Sequence, residues 1–349
     1  MQVQCGVARL RNLAVGAIAD LAARSSYFVT TLVEEGAVQA VAALLQDTSA
    51  ADAAKEQAAR ALMLMSLTGD ALVQGRICCA TAVSAITACM HAEGSTATCR
   101  TYCAQAMHAL AAHASSLPVL VAAEAPMHLE QTLAMAMEAS EVHSAAVSAL
   151  GMLTRHAIEG GDAAAMAAVL EHNTPAGKRE VLKALRRIAE GGERAAELVA
   201  AGVVRLLVEV VRTTDGQWEV GGAGEDAICT LAKLAAVEAC RAELAEGDVI
   251  AVLISALRSG KAATGLKEAV IAILHKIICA PSFVPSRLGA EDFMLFLTLT
   301  RMATDLSTLT QEMLGDITER LVEFFAPSLI NSIEMLLELV SWLGVCWCV

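Results

Sequence analysis

The side chains best able to do chemistry are cysteines and histidines, and their spacing sets them apart from one another. Cys99 and Cys103 stand four residues apart, with His108 and His113 downstream and Cys78 beside Cys79 upstream. A tetrahedral metal site needs ligands that converge on one point. His108 is five residues past Cys103 and so faces another side of the same helix, and this stretch has neither a CxxC nor an HxxxH pair. These residues read as core positions with no metal bound. Gly222-Ala223-Gly224-Glu225-Asp226-Ala227 matches the loose pattern G-x-G-x-x-A and opens a helical stretch. That pattern holds a dinucleotide only after a strand in a βαβ unit, and no strand pattern precedes it. No G-x-x-x-x-G-K-[ST] phosphate loop, no G-x-S-x-G elbow and no paired Cys/His nucleophile occurs. The expectation is a chain that is not an enzyme and uses no cofactor.

What the sequence does hold is a repeat of small-residue-rich amphipathic helices. Ile18, Leu62, Leu110, Leu150, Leu185, Leu231, Ile273 and Leu314 serve as anchors, separated by 44, 48, 40, 35, 46, 42 and 41 residues. An alanine stands just before six of them, at Ala17, Ala61, Ala109, Ala149, Ala184 and Ala272. Three positions after the anchor comes Leu21, Met65, Leu153, Ile188, Leu234 or Ile317, with His113 and Lys276 as the exceptions. A period of this length marks a helical solenoid, whose units bury their apolar faces only against neighbours. Such a stack has no single core, so 349 residues need not split into globular domains.

Each unit carries two further helices before the anchor helix. The words Leu32-Val33-Glu34-Glu35-Gly36-Ala37-Val38, Leu198-Val199-Ala200-Ala201-Gly202-Val203-Val204 and Glu243-Leu244-Ala245-Glu246-Gly247-Asp248-Val249 repeat one design. A short helix is stopped by glycine at a sharp corner, where positive φ is cheap only for glycine. A second amphipathic helix follows at once, then a polar linker (Asp47–Asp52, Thr213–Glu225, Ser259–Gly265), then the anchor helix. In Lys178–Glu190 the stripe is Val181, Leu182, Ala184, Leu185, Ile188 and Ala189, with Lys183, Arg186 and Arg187 opposite. The glycine corner is displaced or replaced around Ile77–Met90, Ala122–Met137 and Gly160–Leu170.

This three-helix unit resembles the armadillo repeat, in the manner of beta-catenin and importin alpha, over roughly residues 7–325. The two-helix HEAT repeat usually has a proline in its first helix, which this chain lacks. The resemblance implies an all-α fold, an α-α superhelix of right-handed sense with about seven to eight repeats. The expected organisation is residues 1–23 as a partial repeat or cap, 24–280 as armadillo repeats, 281–325 as a divergent last repeat and 326–349 as a hydrophobic C-terminal helix. Residues 1–23 lack the first two helices of a unit, so one packing face is expected to be bare. Pro327 is expected to end the last repeat before the tail.

The resemblance also directs attention to the groove lined by third helices. Importin alpha-like members place Trp two residues before the anchor and Asn two after it, clamping an extended peptide. Here the positions before are Gly16, Arg60, His108, Ser148, Lys183, Cys229, Ile271 and Glu312, and those after are Asp20, Leu64, Ala112, Met152, Arg187, Lys233, His275 and Asp316. Without Trp or Asn, recognition of nuclear localisation signals in that manner is not expected. In the six interior repeats these positions hold Arg60, Lys183, Arg187, Lys233, His108, His275 and no acid, where composition would place about one basic and one acidic residue. The bland alternative is that Lys183, Arg186 and Arg187 are one helix's solvated face. A basic groove in an otherwise acidic protein focuses its field on an extended acidic segment, the logic of beta-catenin-like members. The expected groove residues are therefore Arg60, His108, Lys183, Arg187, Lys233 and His275, and the expected partner an acidic, extended protein segment.

Composition narrows the setting. Hydrophobic residues reach 56% with only 3% aromatic, which favours helices that approach closely. A net charge of −13 lacks the basic surface that nucleic acid requires. Eleven cysteines, an odd number set mostly within helical patterns, read as small hydrophobes in a reducing cytoplasmic or nuclear compartment. Arg9 and Arg11 before Leu13–Ala19 make a weak secretory signal, because the apolar run stops at Asp20. A mitochondrial presequence is the alternative, and a repeat helix the better reading. Glu334 and Glu338 interrupt the tail, so Ile333, Leu336, Leu337, Val340 and Leu343 read as a packed stripe and a tail anchor as the alternative. A structural segment of a larger scaffold is the second functional reading, a membrane-tethered protein the third.

Overall fold

The computed structural model describes residues 2–67, 71–92, 94–136, 140–214, 222–245, 247–258, 264–280, 283, 288, 290–301 and 306–329. These residues are almost wholly helical and include no strand. The chain divides into two compact units, Met1–Val181 and Leu182–Val349.

In the first unit an opening helix α1 (Gln2–Arg24) precedes two complete three-helix repeats: α2 (Ser26–Glu34), α3 (Ala37–Gln46) and α4 (Asp52–Ser66), then α5 (Ala71–Ile77), α6 (Ala80–His91) and α7 (Ala97–Ala111). A 3₁₀ turn at Ala114–Ser116 leads into α8 (Leu117–Ala122), α9 (Ala125–Met135) and α10 (Glu141–Gly160), followed by α11 (Ala163–Glu171) and α12 (Pro175–Gly191). The second unit takes in the end of α12, then α13 (Ala195–Ala200), α14 (Val203–Thr213) and α15 (Ala223–Ala236), then α16 (Glu238–Leu244), α17 (Gly247–Arg258) and α18 (Thr264–Ile278), and last α19 (Ala290–Arg301) and α20 (Thr308–Leu329).

Helices stack on their own kind. Third helices α1, α4, α7 and α10 pack in succession, as do second helices α3, α6 and α9, and α2 meets α5. The second unit repeats the scheme, with α15 against α18 against α20, α14 against α17 and α13 against α16. This is an all-α helical-repeat stack. The anchors explain it: Leu62, Leu110, Leu150, Leu185, Leu231, Ile273 and Leu314 are each 0% exposed. Ala61, Ala109, Ala149 and Ala184 beside them are buried too, which lets third helices come close. Ile18 is only half-buried, and α1 leaves Leu10 and Leu13 exposed.

The corner between first and second helices is made as the sequence suggests. Gly36 and Gly202 sit at φ 80° and 74°, and α2 meets α3 at 78°. In the α8–α9 corner Glu124 takes the glycine's place at φ 54°. Left-handed backbone costs an L-residue roughly 1–2 kcal/mol. Gly202→Ala should therefore lose about that much in urea unfolding. Glu124→Gly should shift stability the opposite way by under about 1 kcal/mol, since glycine also loosens the unfolded chain.

The short step of 35 residues has its own cause. The unbroken 20-residue α10 runs to Gly161, at φ 61°, and Asp162 then caps α11 through the Ala164 and Ala165 amides. The first helix of that repeat is absorbed into the end of α10. Pro327 does not break the helix: α20 continues through it to Leu329. The hydrophobic tail expected over 326–349 lies outside the described residues from 330 onward. Among the described residues no single helix is long and apolar enough to cross a membrane.

A half-buried histidine pair closes the α6–α9 junction. The rings of His91 and His128 are 5.2 Å apart, and His91 Nε2 and His128 Nδ1 find no partner. Burial, with His128 second, holds His91 below its usual 6.5. The folded chain thus resists protonating it while the unfolded chain does not. Stability should fall as pH drops through 6.5 toward the depressed value and then level off. Urea midpoints of wild type and His91→Gln should diverge across that window, with wild type losing more.

Candidate functional site

The residues expected to line the groove all lie on third helices, but their surroundings differ. In the first unit Arg60, on α4, places Nη1 3.4 Å from Asp20 Oδ1 on α1 and also bonds Gln57. His108, on α7, places Nε2 2.9 Å from Ser148 Oγ on α10. Both pairs are forty residues apart and tie one rung to the next. Glu56 and Thr96 form a third such tie at 2.5 Å between α4 and α7. Arg60 and His108 are therefore half-buried stitches between repeats, already facing polar partners on their own chain.

The second unit differs. Lys183 and Arg187 are exposed on α12, one turn apart, while Val181, Leu182 and Leu185 on the same helix are buried. Lys233 is exposed on α15. Between them stands Arg186, which donates from Nη1 to Asp226 Oδ1 at 3.4 Å and has Glu190 Oε1 3.9 Å from its Nε. Asp226 is buried at 7% exposure on α15, two turns before Lys233 and so on the same face of that helix. Cys229, on α15 between them, has its thiol pushed up by burial. Arg186 is the largest charge acting on it, with Lys233 a smaller one. The α12 face that carries Lys183, Arg186 and Arg187 thus meets the α15 face that carries Asp226, Cys229 and Lys233. On α18, His275 places Nε2 3.0 Å from Asp316 Oδ2 of α20.

Sequence reasoning sampled only positions two before and two after each anchor; it placed Arg186 on the solvated face of its helix and missed its pairing with Asp226. Asp226 stands five before Leu231, where a buried acid opposite an arginine one past Leu185 would have been the signal. Acids therefore stand beside several of these residues: Asp20 beside Arg60, Asp316 beside His275, and Asp226 with Glu190 beside Arg186. Lys183, Arg187 and Lys233 are exposed beside that pair.

No family model matches the chain, and no curated protein matches it. Among solved structures it is similar to an engineered protein at 17% identity, with 94% of this chain and 92% of that one covered and a TM-score of 0.40. A second engineered protein is 21% identical over 69% of this chain and 96% of that one, with a TM-score of 0.31. A chain from a structure concerning a phosphorylation switch in the interaction between cadherin and beta-catenin is 14% identical. There 89% of this chain and 57% of that chain are covered, with a TM-score of 0.37.

Proposed function

We propose that this chain is a non-enzymatic armadillo-repeat adaptor, with repeats stacked in the right-handed sense, that binds an extended acidic protein segment along the third helices of its second unit. One observation carries the reading: Lys183, Arg187 and Lys233 are exposed on the two third helices that Arg186 and Asp226 join. The three-helix units and the left-handed corners at Gly36 and Gly202 support the armadillo assignment. An extended chain laid across α12 and α15 would set its carboxylates against these cations, and the Arg186–Asp226 pair would hold the two rungs in register. The partner is a protein rather than a nucleic acid, in keeping with the net charge of −13, and the setting is cytoplasmic or nuclear.

The test is fluorescence anisotropy with a labelled, extended Asp/Glu-rich peptide, a neutral peptide of equal length and a basic one. The acidic peptide alone should bind, and weaken as salt rises, because exposed charges are screened beyond about 8 Å at physiological ionic strength. Equal binding of the neutral peptide would refute the electrostatic reading.

A further inference from the structure

We propose that Cys89, Cys99 and Cys103 together form a three-thiolate site for a thiophilic d¹⁰ cation of the zinc and cadmium class. The three sulfurs come from two helices, Cys89 from the end of α6 and the other two from the first turns of α7. All three are buried, and every pair of their Sγ atoms lies within 4.8 Å, with Cys89 and Cys99 at 3.2 Å. Three thiolates around one ion at a Zn–S distance of about 2.3 Å lie roughly 4 Å from each other. The trio is therefore within a small side-chain adjustment of that arrangement. Spacing on the chain explains why two of the ligands face one way: Cys99 and Cys103 are one helical turn apart on a single face of α7.

Two further features distinguish the cluster from packed core thiols. A cavity of about 430 Å³ opens onto Cys89 and Cys99 and is lined also by Lys55, Asp52 and Ser95, so an ion has a way in and a fourth position left for water. Cys99 is the third residue of the 15-residue α7, whose N-terminal amides favour an anion, and Thr96 caps that end by accepting the Cys99 N–H at 3.2 Å. One divalent cation held by three thiolates would carry one net negative charge, facing Lys55 and the helix end. Thiolate donors select soft cations over magnesium or calcium. The site would clamp α6 to α7 within one repeat.

Cadmium is the direct probe, because thiolate ligation gives a charge-transfer absorption. The reduced full-length chain should take up one more equivalent of cadmium with that absorption than Cys89→Ser, Cys99→Ser or Cys103→Ser. Cys240→Ser, which removes a buried cysteine elsewhere, should match wild type. Zinc should raise the thermal midpoint of wild type and of Cys240→Ser, and leave the three cluster variants unmoved. Cys89→Ser, at the cavity wall, keeps the test valid if Cys103→Ser fails to fold. Equal uptake by wild type and Cys89→Ser would overturn the proposal. So would a Cys89–Cys99 disulfide whose reduction yields no added uptake.

Discussion

Replacing Leu185 with alanine is expected to cost about 2–5 kcal/mol. Leu185 is 0% exposed and is flanked on α12 by buried Val181, Leu182 and Ala189. Shortening it removes apolar contact and leaves a cavity. In a solenoid that loss falls on nearest-neighbour interfaces rather than on one global core. Urea unfolding followed by circular dichroism should therefore show both a lower midpoint and an early loss of part of the helical signal. A change below about 0.5 kcal/mol would mean that Leu185 is not the interface residue its burial makes it. Ile18→Ala, at the half-buried end of the same register, should cost less than Leu185→Ala.

The anchor register was legible because burial in a stack of helices follows a single period. A leucine packed between two neighbours tolerates few substitutes, so it stands out even without any matching family. The irregular units were less legible for local reasons. Glu124 holds a corner that glycine would hold more cheaply, and only its φ reveals it. The missing first helix before α11 left a trace in the step of 35 residues, yet nothing in that number says which helix was lost. Pro327 suggested a break, yet α20 runs on through it to Leu329.

The candidate sites divide along similar lines. Lys183, Arg187 and Lys233 were found because exposure on a third helix follows from the anchor. Their neighbours were not, since the contact between Arg186 and Asp226 joins residues forty apart. The same limit hid Cys89. Cys99 and Cys103 share a helix and invite comparison by spacing, whereas Cys89 reaches them only because α6 and α7 fold back on each other. Spacing rules see within a helix, and a site assembled from two helices needs the turn between them.

The groove reading makes a kinetic demand that its bland alternative does not. If Lys183 and Arg187 are only a solvated face, reversing them changes nothing that a partner feels. If they attract an acidic segment, the effect appears chiefly in how fast the complex forms, because steering acts before contact. Neither residue contributes to the apolar stripe of α12, so folding should be unchanged. The deciding measurement is the stopped-flow association rate of a labelled acidic peptide with wild type and with the Lys183→Glu/Arg187→Glu double variant, across a salt series. At low salt the double variant should associate about 10–100-fold more slowly, within the range electrostatic steering spans, with dissociation changed far less and the gap closing as salt rises. Equal association rates for the two proteins at low salt would contradict the account.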